Sequence, residues 1–110
     1  MSKTAALLLL VLAALLETGG DALVRSGLHA GDGRWRIALI VLGGVVLTSY
    51  GLVVNAPPWD FGRLLGVYVV LFFLAAQLMN LLVFRTPPSP PVLIGGLLIA
   101  AGGVVMSVAR

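Results

Sequence analysis

The chain has 110 residues, 60% of them hydrophobic and 10% charged, with a formal net charge of +3 and no cysteine. Soluble domains carry about 25% charged and about 45–50% apolar residues, so too little polar surface exists here to clothe a water-soluble globule. The absence of cysteine excludes a disulfide, a thiolate nucleophile and a Cys-based metal site, and one histidine with four carboxylates is a poor stock for a metal cage.

At about 20 apolar residues per span, the chain holds about four membrane helices and little else. The expected fold is an all-α membrane protein, residues 1–110 forming one domain of four transmembrane helices in an up-and-down bundle. The seven basic residues stand singly or in close pairs at the ends of apolar runs, as span anchors do. The bilayer is therefore the expected partner, and nucleic acid is not.

The first span is expected over residues 4–28. Lys3 followed by an apolar core also fits a secretory leader ending at Glu17, but Ala22, Leu23 and Val24 resume the apolar run and three more spans follow. Residues 29–36, HAGDGRWR, read as a turn with Trp35 at the interface. The second span is expected over 37–54, and NAPPWD breaks it. The third is expected over 61–84 and is stopped by RTPPSPP; the fourth covers 92–109. Connections this short force neighbouring helices to run antiparallel.

Counting positive charges gives almost no orientation bias. One side receives Lys3, Arg63 and Arg110, the other Arg34, Arg36 and Arg85, with Arg25 near it. Either another feature fixes the topology, or copies insert both ways and pair antiparallel.

Glu17 and Asp21 interrupt the first apolar run. An ionised acid near the centre of a membrane helix costs about 2.5–3.5 kcal/mol on insertion scales, and folding has no need of one. Glu17, Asp21 and Arg25 follow at i, i+4 and i+8, one face of a helix, with His29 continuing the row if the helix extends so far. Asp21 and Arg25 lie near the helix end, where a simple pair reaching for the interface accounts for them. Glu17 lies about 20 Å along the axis from Thr4, short of either surface. A carboxyl there that changes protonation can exchange a proton for a cation; the plainer reading is a permanently neutral acid that only packs.

Gly19 and Gly20 clear one side of that helix for close contact or a ligand. Tyr68, Tyr50 and Trp59 are candidate aromatic walls for a cation, with Tyr68 the deepest. Trp35 and Trp59 also read as interfacial anchors, and Gln77 and Asn80 as interhelical hydrogen-bonders. Gly62 and Gly66 make a GxxxG, a weak signal in a glycine-rich chain. In the fourth span Gly95 and Gly102, and likewise Gly96 and Gly103, stand seven apart, so each pair returns to one face. That seam reads as a dimer contact or as packing within one subunit. No Walker loop, dinucleotide fingerprint or nucleophile elbow is present, so neither an enzyme nor a cofactor is expected.

Four short spans with a membrane glutamate in the first resemble the small multidrug resistance (SMR) family of the drug/metabolite transporter superfamily. LLETGGDALVR resembles that family's first-helix A-E-x-x-G segment, which puts its essential glutamate at Glu17. GRLLGVY falls at its G-x-A-Y-A-x-W segment, with Tyr68 at an aromatic position, and IGGLLIAAGGVVM resembles its fourth-helix dimer seam. DFGRLLGVY is nearer still to the YnfA-like branch. Leu65, Val69, Val70, Arg85 and the extra acid Asp21 depart from the family pattern and bear on the usual drug-cation profile.

The resemblance implies a multi-pass transporter of the bacterial inner (plasma) membrane. It implies proton-coupled efflux (antiport) of small cationic or amphipathic compounds, with protons and substrate sharing Glu17 beside Tyr68; the extra acid Asp21, one turn along the same face, is a further candidate for proton or substrate binding. It also implies a homodimer, or a heterodimer with a sister SMR-like subunit. A half-size lipid or metabolite flippase, and a non-transporting assembly partner, are the alternatives.

Overall fold

The computed structural model describes residues 1–108; the expected close of the fourth span at Ala109 and the terminal Arg110 lie outside the described residues. Four helices follow in order: α1 (Lys3–Leu28), α2 (Gly33–Val54), α3 (Phe61–Leu82) and α4 (Pro90–Val108). Each is long and apolar enough to cross a membrane, and no strand occurs among the described residues.

The helix starts are set by side-chain caps, which satisfy backbone N–H groups that the first turn leaves without partners. Ser2 Oγ accepts from Ala5 N at 3.0 Å, Asp32 Oδ1 from Arg34 N at 2.9 Å, and Asp60 Oδ2 from Arg63 N at 3.1 Å. The Asp32 cap starts α2 at Gly33, so Trp35 and Arg36 belong to its first turn rather than to the connection. Pro90 and Pro91 open α4 ahead of Val92, because the first turn tolerates proline. At the other end of the chain's third helix, α3 stops at Leu82, and Arg85 turns the backbone with φ 54°. A left-handed residue just past a helix is a common terminator.

The bundle is flattened, with Cα extents of 50 × 34 × 19 Å. Its helices pack in the order α2–α1–α3–α4: α1 lies against α2 and α3, and α4 against α3 alone among the described residues. Short turns make each consecutive pair of helices antiparallel, which leaves α1 and α3 parallel.

In lipid, helices associate through close packing rather than through hydrophobic transfer, and small residues let backbones approach. On α1, Ala6, Ala13, Gly20 and Gly27 recur every seven residues and all are buried. A Cβ added at Gly20 would stand 2.8 Å from Leu47 Cγ, and one at Gly43 would stand 2.9 Å from the Gly20 carbonyl oxygen. The α1–α2 contact therefore depends on both glycines. Toward α3, Leu10 and Ala14 pack with Leu64, Val67 and Tyr68.

Along α3 and α4, Gly66 receives Met106, Gly96 receives Phe73 and Gly103 receives Val70. Gly96 and Gly103 thus serve packing within this subunit rather than an outer dimer seam. Gly95 and Gly102 face open space, beside Leu98, which is 72% exposed. Arg63 ties the start of α3 to the end of α4 by donating to the Ser107 carbonyl at 2.8 Å.

Candidate functional site

Of the four carboxylates, Asp32 and Asp60 are helix caps. Glu17 and Asp21 are left, both on the α1 face that meets α3. By helix rise, Glu17 lies about 16 Å from the Leu28 end and about 21 Å from Lys3, well within a hydrocarbon layer of about 30 Å.

Tyr68 stands opposite it. The Tyr68 hydroxyl donates to Glu17 Oε1 at 2.9 Å, while its ring is buried at 4% exposure. A membrane carboxyl without a partner pays a desolvation penalty of several kcal/mol; the phenol offsets part of it and fixes the direction of the acid. Tyr50 of α2 lies with its ring centroid 5.8 Å from that of Tyr68, and Phe72 lies 6.2 Å away on the other side. Tyr68, the partner of the half-buried carboxyl, is thus itself held between an α2 ring and an α3 ring. Next to Glu17, Thr18 turns inward and donates to the Ala14 carbonyl at 2.8 Å, so its hydroxyl costs little in an apolar setting.

Asp21, one turn further along α1, makes no hydrogen bond to Tyr68. It opens instead on a cleft of about 440 Å³ between α1 and α3, with Arg25, Phe72, Gln77, Asn80 and Phe84 among its lining residues. Gln77 and Asn80 therefore line open space at this end of the interface. Arg25 lies over the Phe84 ring, 5.7 Å from its centroid, a cation–π arrangement. His29 forms the C-cap of α1 and is exposed, outside the site.

The glycines flanking the acid divide the work. Gly20 is filled by α2, whereas Gly19 has no neighbouring atom and, two residues on from Glu17, lies about 200° around the helix on the far side from it. Gly62 meets only its own cap, Asp60 Oδ2, at 3.6 Å from an added Cβ, and Gly66 meets α4, so the GxxxG is not one continuous seam. Trp59 is partly buried against the core, and Trp35 is 60% exposed at the start of α2.

Sequence reasoning missed the small-residue heptad on α1, although the same seven-residue spacing stood out on α4. Tyr50, named from the sequence as a candidate aromatic wall, stands against the Tyr68 ring because the antiparallel return of α2 brings it there. Among the described residues, no cluster of three His, Cys, Asp or Glu side chains could hold a metal ion.

Comparison with known proteins places this architecture. Residues 3–110 match the family described as "Uncharacterised BCR, YnfA/UPF0060 family". A UPF0060 membrane protein of Herpetosiphon aurantiacus is 32% identical over 92% of this chain and 91% of its own length. UPF0060 membrane proteins of Nocardia farcinica and Rhodococcus erythropolis are 36% and 37% identical, covering 100% and 96% of this chain and 98% and 97% of their own lengths. No solved structure gives a significant match. The chain belongs to the YnfA/UPF0060 family, an SMR-like branch of the drug/metabolite transporters, and is a multi-pass bacterial membrane protein.

Proposed function

We propose that this member of the YnfA/UPF0060 family is a proton-coupled exporter of small cationic or amphipathic compounds, with Glu17 as the group that protons and substrate share. The observation that carries this reading is the 2.9 Å hydrogen bond from Tyr68 to Glu17, at mid-depth along a bundle that has no structural need of an acid. Protonated, Glu17 is neutral and compatible with an apolar surround. Ionised, it attracts a cation, with Tyr68 holding the carboxylate and the Tyr50 and Phe72 rings offering π faces. Competition between proton and cation for one carboxylate couples their movements in opposite directions. Deprotonation toward the cytoplasm admits the substrate, and protonation from outside releases it.

A single flat layer of helices cannot enclose such a site, and Glu17 is only half-buried. The working unit is accordingly a dimer in which two copies of Glu17 line one chamber. Gly95 and Gly102, open on the outer face of α4, supply the contact. The near-equal charge on the two sides suits an antiparallel pair, with alternating access by rocking of one subunit against the other.

The test is uptake of a permanent cation, such as methyl viologen, into vesicles with an imposed pH gradient. Wild type accumulates it against its gradient, and Glu17→Gln, still folded and dimeric, falls to the level of empty vesicles. Glu17→Asp transports with a shifted pH profile. Normal transport by Glu17→Gln contradicts the proposal.

A further inference from the structure

The cleft beyond Glu17 carries a charge pattern that a simple cation does not satisfy. Asp21 and Arg25 sit one turn apart on the same wall, with Cβ atoms about 6 Å apart at that spacing. They do not neutralise each other: the guanidinium lies over Phe84, and no Asp–Arg pair within 4.0 Å is formed among the described residues. Facing them from α3 are Gln77 and Asn80, whose amides each present two N–H donors and one acceptor oxygen. Phe72 and Phe84 supply apolar surface. The volume, about 440 Å³, falls in the range of small-molecule sites.

A lipophilic cation entering this space meets its complement in Asp21 but a like charge in Arg25. A carboxylate alone meets the reverse. Both side chains are exposed, and only a molecule bearing both signs offers each of them an opposite charge at once. Its remaining hydrogen-bonding groups find the two amides, and an alkyl tail finds the two phenyl rings.

We propose that the cleft is a binding site for a small zwitterionic amphipath, its ammonium on Asp21 and its carboxylate on Arg25. This rests on the reading of Glu17 as the transported cation's site, because Asp21 then hands the ammonium to the acid one turn deeper. Arg25 is the residue that sets specificity.

A matched pair of ligands tests it: hexyldimethylglycine, a zwitterion, and hexyltrimethylammonium, which lacks the carboxylate. Titration calorimetry on the full chain in a non-ionic detergent is expected to show the zwitterion binding at least about tenfold more tightly. Arg25→Gln brings the ratio of the two affinities to about one, and Arg25→Lys keeps part of the preference. Were Arg25 only structural, both affinities would change together and the ratio would hold, which overturns the inference. A wild-type ratio of one or below, or binding of neither compound, overturns it as well. The Glu17→Gln variant separates the two readings. Glu17-dependent cation binding without a zwitterion preference sinks this inference alone. A zwitterion preference that survives Glu17→Gln, in a variant that still transports a cation, sustains the cleft and sinks the transport role of Glu17.

Discussion

The interface between α1 and α3 has two ends that behave differently. Toward the start of both helices it is closed: Leu10, Ala14, Leu64 and Val67 are buried, and the closed zone ends at the Tyr68–Glu17 hydrogen bond. Toward their far ends the same two helices leave a cleft, lined by Asp21, Arg25, Gln77 and Asn80. Closely packed apolar side chains make the first end; polar and charged ones, with Phe72 and Phe84, make the second. The lesson is that the carboxyl sits on the boundary, with a rigid wall behind it and an opening before it. A shared proton and cation site needs both.

Changes at the closed end should therefore cost stability, and those at the open end should cost binding. The largest stability loss is expected for Leu10→Ala, since Leu10 is fully buried and such truncations cost about 2–5 kcal/mol. Asn80→Ala, at the open end, should leave the unfolding free energy in detergent within about 0.5 kcal/mol of wild type. A smaller loss is expected for Gly43→Ala. Its new methyl would meet Val24 Cγ2 at 2.7 Å and the Gly20 carbonyl oxygen at 2.9 Å, and overpacking costs about 1–3 kcal/mol. Its neighbour Gly44 faces open space, so Gly44→Ala should be neutral or slightly stabilising through helix propensity. Equal effects at the two glycines would break the account of the α1–α2 contact.

Tyr68→Phe comes last in size. The ring remains in place between Tyr50 and Phe72, and only the donor to Glu17 is lost, a change of about 1 kcal/mol. Cation affinity should fall by about three- to tenfold while the fold is kept. An unaltered affinity would mean that Tyr68 positions nothing.

Much of this boundary was legible in the chain. Four apolar runs and their proline and glycine breaks gave the helices, and an acid in an apolar run pointed to Glu17. Tyr68 followed from depth and from the family resemblance. Other features were hidden for physical reasons. Asp32 and Asp60 read as loop residues, because a cap is a matter of backbone geometry that sequence marks only weakly. The paired glycines of α4 mark two adjacent faces about 100° apart, and a helix apolar all round gives no sign of which face meets α3 and which meets lipid or a partner. Gln77 and Asn80 looked like interhelical bonders because the separation of α1 and α3 at that depth depends on tertiary packing.

Proton release on adding a cation to purified protein, in a weakly buffered solution near neutral pH, tests the central claim most directly. The account predicts saturable release from wild type, approaching one proton per cation bound as the starting pH is lowered, and none from Glu17→Gln. Cation binding with no proton released at any pH, or release that persists in Glu17→Gln, would contradict it.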